Sequence, residues 1–447
     1  MLLGLAALAI VVLVALIVRV RMHAFPALMI VSLGLGLSAG LEPAAVVTAF
    51  QQGVGNTLGF IAVVIGLGTF VGGLLAESGG ASVVARAAVD AVGERWLPWV
   101  VATVGFVIGL PVFFSVGLVL LFPVVVGLAA TAGRPLLALA LPLVAGLSAS
   151  HGLVAPHPGP LVAIERLGAD TGVSILYGLI AGVPAFVIAG PLFLHLLPPS
   201  LLARGVALGP VSSTAATVTN PPGVAVTLAT VLLPIALMLG ATLVTTLAGG
   251  AEVTGAAGAL LSTTVFLGYP AVSLLVGTLV ATYALGTRRG LGGAQLLAIA
   301  ERALFPIASV LLVVGAGGGF GRVLDQAGIG GAITSAVSSL SLSPLLFAWL
   351  VAALLRIAVG SATVAITTAA AIVAPLLSTA PDTNRELLVV ALGAGSLIAS
   401  HVNDGGFWLV KEFFGLDVPT MLKTWTVMET IISVVALGVV LLLDLVL

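Results

Sequence analysis

This sequence predicts an all-α polytopic membrane protein, on three observations. The 447 residues are 60% hydrophobic and only 7% charged, with a mean hydropathy of +1.31, whereas soluble domains carry about 25% charge. The apolar stretches mostly run about 17–25 residues, the length that crosses ~30 Å as helix. Ten-residue alternating strands, the mark of a membrane β-barrel, are missing. Third, a short polar segment inside apolar sequence occurs twice. Leu147-Ser-Ala-Ser-His151 and Leu397-Ile-Ala-Ser-His401 align at an offset of 250. The first runs on into Gly152 and Pro156-His157-Pro158, the second into Asn403-Asp404-Gly405-Gly406. Such residues stop a helix and leave backbone groups free. At membrane depth, free backbone groups survive where they line a protein-enclosed cavity.

Taken in order, Met1–Val18 is apolar, lacks a basic leader and an A-x-A cleavage site, and is expected as a retained first span rather than a signal peptide. Span 2 runs from Phe25 to about Leu41. Gln51-Gln-Gly-Val-Gly-Asn56 is expected as a polar link into span 3, about 57–76. The segment 77–95, with Glu77, Arg86, Asp90, Glu94 and Arg95, reads as a surface amphipathic piece. Segment 96–131 is interrupted at Leu110-Pro-Val-Phe-Phe-Ser115-Val-Gly117. Its arms hold about 14 residues, or ~21 Å of helix, too short to span, so a re-entrant hairpin is expected. The interrupted span 136–163 and a span at about 174–197 follow, then a polar linker over 204–222. Spans at about 223–248, 263–285 and 303–322 precede a second hairpin, 344–378, interrupted at Val359-Gly-Ser-Ala-Thr363. The second interrupted span is 386–410, and a last span closes at about 424–446.

The duplication is wider than the Ser-His segments. Gly66, Gly68, Gly72, Leu75 and Gly79 are matched by Gly315, Gly317, Gly321, Leu324 and Gly328 at an offset of 249. Basic residues stay cytoplasmic. Placing Arg19 and Arg21 inside puts eleven basic residues inside and three outside, with about ten spans, two hairpins and both termini outside. The two copies then run in opposite senses. The predicted organisation is N-terminal spans 1–56, a first inverted repeat 57–200, connecting spans 201–302 and a second inverted repeat 303–447. Interrupted helices at matching places in inverted repeats point to a transporter site near the midplane.

The groups available there are Ser115, Ser148, Ser150, His151 and His157 from one half. The other half offers Arg356, Gly360, Ser361, Thr363, Ser400, His401 and Asn403 for substrate. Helix N-termini would present N–H groups and positive dipole ends to an anion. Asp404, His401 and His151 are the candidates for proton coupling, since a carboxylate at membrane depth is usually functional and histidines titrate near neutrality. Each has a plainer reading. Asp404 can cap the next half-helix, the histidines can bond carbonyls at a break, Arg356 can pair with Asp404, and Ser or Thr can bond back to the preceding turn. Cysteine is absent and H-E-x-x-H does not occur. No cofactor or metal is therefore expected, and the net charge of −1 argues against a nucleic-acid partner. An intramembrane serine hydrolase using Ser148 or Ser150 is disfavoured, because Ser150 and His151 are adjacent and the site is duplicated. A passive channel would not need inverted repeats.

Four strings carry a resemblance: His151-Gly-Leu-Val-Ala-Pro-His-Pro-Gly-Pro160, Leu355-Arg-Ile-Ala-Val-Gly-Ser-Ala-Thr-Val-Ala365, Ser400-His-Val-Asn-Asp-Gly-Gly-Phe-Trp408 and Lys423-Thr-Trp-Thr-Val-Met-Glu-Thr-Ile-Ile-Ser433. In these the sequence resembles the gluconate permease family of bacterial inner-membrane proton symporters. The resemblance implies uptake of gluconate or a related sugar acid, with carriers of D-serine among the relatives, and usually a homodimer in lipid. Sodium stays open as coupling ion, since unwound carbonyls with Asn403, Ser and Thr suit it. Two positions depart from the family pattern: Ser115 stands where an acidic residue is typical, and Gly405 where Pro is usual.

Overall fold

The structure is a computed structural model that describes residues 2–204, 220–248, 254–305, 307–329, 332, 342–378, 380–402 and 404–447. Residues 205–219 of the expected polar linker, and Asn403, lie outside the described residues. Within them the chain is helical throughout, without a strand.

The first half contains α1 (Leu2–Val18), α2 (Ala24–Ser38), α3 (Pro43–Glu77), α4 (Gly80–Val92), α5 (Leu97–Gly109), α6 (Phe114–Thr131), α7 (Leu137–Leu153), α8 (Pro158–Leu167) and α9 (Thr171–Val187). After α9 a π turn and a 3-10 turn carry the chain to Leu196, and α10 is the single turn Pro199–Leu202. Next come α11 (Val224–Ala248), α12 (Gly255–Gly268), α13 (Pro270–Ala281), α14 (Gly293–Leu304) and α15 (Ile307–Gln326). The chain ends with α16 (Pro344–Val359), α17 (Ala362–Val373), α18 (Arg385–Gly395), α19 (Gly405–Phe413), α20 (Val418–Lys423) and α21 (Trp425–Asp444).

Seven described helices are long and apolar enough to cross a membrane. Of the ten expected spans, the two nearest the N-terminus form shorter apolar helices. The one at 386–410 is split, with 396–402 and Asp404 non-helical between α18 and α19.

Three expected boundaries are corrected. Gln51–Asn56 is no link but the interior of α3, a continuous helix of 35 residues, about 52 Å long. Packing explains it, because the inner face of this stretch, Phe50, Gly53, Val54 and Thr57, meets the glycine-rich α15 while Gln51, Gln52 and Asn56 are exposed. A Cβ at Gly53 would strike the Gly318 and Gly319 backbone, one at Gly318 the Thr57 side chain, and one at Gly319 the Phe50 ring. Small residues let two membrane helices approach backbone to backbone, and that seam keeps α3 helical across its polar stretch. The span expected at 263–285 starts earlier, as α12, and breaks at Tyr269-Pro270 because proline cannot continue the helix before it. The span expected at 303–322 begins at Ile307 and runs to Gln326 as α15, with α14 ending before it at Leu304.

The hairpins and interrupted spans form where proline, glycine and serine place them. The first hairpin breaks between α5 and α6 at Leu110–Phe113. The second breaks at Gly360, whose φ of +82° favours glycine, and Ser361 then caps α17 by accepting from the Val364 N–H. The segment 77–95 is the amphipathic α4, with Ala81, Val84 and Ala85 buried and Arg86 and Asp90 exposed. The two interrupted helices meet where they stop. A Cβ at Gly393 in α18 would collide with the Gly152 carbonyl in α7, and one at Gly152 with the Leu397 side chain.

Candidate substrate site

At that meeting point lies a cavity of about 530 Å³. From the first half it is walled by Phe113, Phe114 and Ser115 at the first hairpin tip and by Ser148 and His151 near the end of α7. From the second half come Arg356, Gly360, Ser361 and Thr363 at the other tip, Asp404–Gly406 at the second break, and Trp425 and Glu429 from α21. Three helices begin at its wall: α6 at Phe114, α17 at Ala362 and α19 at Gly405. The opening turn of a helix leaves N–H groups without intrahelical partners and carries roughly half a positive charge. Three such ends on one hollow make it receptive to an anion.

The second break is tightly held. Asp404 caps α19, accepting from the Gly406 N–H at 2.8 Å. Its other oxygen takes Arg356 Nη2 at 2.5 Å and the Ser400 hydroxyl. Arg356 also donates to the Gly360 carbonyl, so one guanidinium ties the second hairpin tip to the second break. The two side chains are only 4% and 12% exposed, and their charges cancel. Helix α21 secures the same break. Trp425 Nε1 donates to Ser400 Oγ at 2.7 Å, Thr426 Oγ1 donates to the Ser400 carbonyl, and Thr430 Oγ1 accepts from the Ala399 N–H. Ala399 sits at φ +48°, a region that residues with a Cβ rarely adopt.

The first break is organised by two histidines. His157 Nε2 lies 2.7 Å from the Gly109 carbonyl and must donate to it. His157 Nδ1 is then the acceptor, and it lies 3.2 Å from His151 Nδ1. In neutral rings His151 donates there, which leaves its Nε2 as an acceptor. The dyad thereby joins the end of α7 to the end of α5 behind the first hairpin tip.

Several expected site residues stand back from the wall. Ser150 is fully buried and donates to the Leu147 carbonyl. His157 reaches the cavity only through His151, and Ser400 only through Asp404. His401 does not line it; its Nδ1 donates to the Ala399 carbonyl at 2.8 Å. The departures from the family pattern read simply here. Ser115 is exposed at the cavity edge, and a Cβ on Gly405 would meet open space at the first position of α19. Glu429 is a wall residue not anticipated from sequence. An acid near the start of the apolar closing span, far from the terminal Asp444, was the available signal.

The whole sequence matches the family model of the GntP family permeases over residues 1–446. The chain belongs to the GntP permease family. It is 46% identical to a gluconate permease of Pseudomonas aeruginosa, over 97% of this chain and 96% of that one. It is 40% identical to a gluconate permease of Bacillus subtilis, over 98% of both. It is 38% identical to the D-serine transporter DsdX of Escherichia coli, over 96% of this chain and 95% of that one. Among solved structures, the YdaH transporter of Alcanivorax borkumensis superposes with a TM-score of 0.68 at 16% identity, covering 93% of this chain and 96% of that one. At that identity the likeness concerns the fold alone. This GntP-family chain is thus a multi-pass membrane permease, not an enzyme. Among the described residues no cluster of His, Cys, Asp or Glu could hold a metal.

Proposed function

We propose that this permease imports gluconate or a related sugar acid across the bacterial inner membrane by proton symport, through alternating access of two inverted repeats. The observation that carries the reading is the convergence of three helix N-termini from both halves on one polar cavity. A sugar acid is a carboxylate with a string of hydroxyls. The carboxylate suits the opening turns of α6, α17 and α19, at the N–H groups other than those of Val364 and Gly406, which Ser361 and Asp404 cap. The hydroxyls suit Ser115, Ser361, Thr363 and the acceptor nitrogen of His151. Helix order supports the repeat, since each half carries a hairpin, an interrupted helix and then a long helix at nearly one offset. Access supports the reading too. A second hollow of about 280 Å³ shares Phe113, Ser115 and Val310 with the cavity and reaches Glu77 and Arg302, which pair at 2.9 Å. With Arg302 taken as cytoplasmic, this hollow supports a path from the cavity toward the inside. The homodimer implied by the resemblance belongs to this proposal as well.

One proton moving with a monoanion carries no net charge, so only a pH gradient would drive it. An additional proton would add ~2.3 kcal/mol per 100 mV, or roughly 50-fold accumulation. Reconstituted in proteoliposomes, the protein is expected to accumulate labelled gluconate when the outside is acidic, with unlabelled sugar acids competing. No stimulation by an inward proton gradient, with or without a potential, would reject proton coupling. Stimulation by sodium instead would name the other ion. The similarity to a D-serine transporter supports a second reading, in which D-serine displaces labelled gluconate or is itself the preferred cargo.

A further inference from the structure

We infer that Glu429 is the group that carries the coupling proton. Its side chain lines the cavity, yet the residue is only 1% exposed. Among the described residues, neither carboxylate oxygen completes a hydrogen bond and no cation lies in salt-bridge range. The Ser148 hydroxyl is the polar group that faces it. Asp404, the other acid at the cavity, is already matched by Arg356, capped by Ser400 and bonded to the Gly406 N–H. Protonating Asp404 would dismantle the second break, whereas protonating Glu429 disturbs no bond. A lone carboxylate at membrane depth persists as a charge only when something compensates it.

The charged and titratable surroundings of Glu429 can be stated element by element. From α7 comes His151, with His157 behind it; from α16, Arg356; from the second break, Asp404. The other helices packed on α21 carry Tyr177 in α9, Arg385 and Glu386 at the start of α18, and Lys423 in α20. Arg385 and Glu386 are engaged at the far end of the fold, with the Leu167 carbonyl and the Asp170 N–H. The Arg356–Asp404 pair being neutral, Glu429 is left as the uncompensated charge in the hollow.

Coupling follows from this placement and rests on the sugar-acid reading above. A carboxylate bound in this cavity shares it with Glu429, and a separation of about 6 Å sets the scale of their repulsion. Two anions at that distance, at an effective dielectric of ~20, repel enough to weaken binding roughly 100-fold. A proton from the acidic side forms an O–H bond at a Glu429 carboxylate oxygen, removes that repulsion and lets the anion bind. After the inward opening, the bond breaks to water on the less acidic side as the anion departs. The proton and the anion therefore travel together.

The test is Glu429→Gln beside wild type in proteoliposomes, with gluconate binding titrated from pH 5 to 8. Wild type is expected to accumulate gluconate on an inward proton gradient and to bind it more tightly at low pH. Glu429→Gln is expected to exchange gluconate across the membrane but not accumulate it, with an affinity that no longer varies with pH. Glu429→Asp, which keeps the carboxyl, is expected to retain gradient-driven accumulation and guards against a misfolded amide variant. Direct proton uptake by purified wild type on adding gluconate, followed with a pH indicator, is a readout that needs no variant. If wild type ignores the proton gradient, the symport reading and this inference fall together. If wild type responds and Glu429→Gln still accumulates gluconate, or binds it with unchanged pH dependence, Glu429 is not the proton carrier while symport stands.

Discussion

Arg356→Met is expected to destabilise the permease by about 3–5 kcal/mol and to abolish uptake. Removing one member of a buried ion pair leaves the other charge uncompensated, which costs far more than the pair itself contributes. Here the stranded group is Asp404, with a side chain only 12% exposed. Its remaining bonds, to Ser400 and the Gly406 N–H, place the loss toward the lower end of that range. The guanidinium also holds the Gly360 carbonyl, so its removal releases the second hairpin tip from the second break. Pairing Arg356→Met with Asp404→Asn removes both charges together. That double variant should recover most of the lost thermal stability in detergent yet remain inactive in proteoliposomes, since the tie between tip and break is still gone. Melting of the single variant at the wild-type temperature would mean that the pair is not buried as described.

The second large effect concerns the crossing of the interrupted helices. Gly393→Val introduces a branched side chain where even one Cβ meets the Gly152 carbonyl, with the Leu153 backbone close behind. Overpacking usually costs about 1–3 kcal/mol, and the upper end or beyond is expected when the obstacle is backbone. Because the crossing abuts the end of α7 that carries His151, gluconate affinity should fall with stability. Gly438→Val in α21, where a Cβ meets nothing within 4 Å, is the control and should melt within about 1 kcal/mol of wild type. Equal losses from both valines would remove the crossing from the account.

Much of this architecture was legible because membrane helices announce themselves by composition and their breaks by proline, glycine and serine. The tips at Phe113–Ser115 and Gly360–Ser361 lie where the sequence interrupts its apolar runs. What the repeat could not convey was its asymmetry. Helix α7 continues past His151 to Leu153, whereas α18 already ends at Gly395, well short of His401. The cause is tertiary: Trp425, Thr426 and Thr430 of α21 grip the second break and hold Ala399 in a left-handed turn. One histidine therefore faces the cavity while its counterpart bonds a local carbonyl. The same limit hid the helical run through Gln51–Asn56, whose polarity suggests a link until the glycine face of α15 is placed against it. Glu429 was visible as an acid in an apolar span, but only the fold brings it opposite Ser148 and Arg356.

Groups from both halves enclose one cavity. The natural sequence has no cysteine, so a single introduced thiol reports on its own position. The decisive measurement is the rate at which a small, water-soluble thiol reagent labels Ser115→Cys and, separately, Ser361→Cys, as gluconate is titrated. Both are expected to slow with the same half-maximal gluconate concentration, while Ser200→Cys on the exposed single turn α10 is unaffected. Protection of only one of the two, or of neither, at concentrations that saturate transport would contradict a shared cavity.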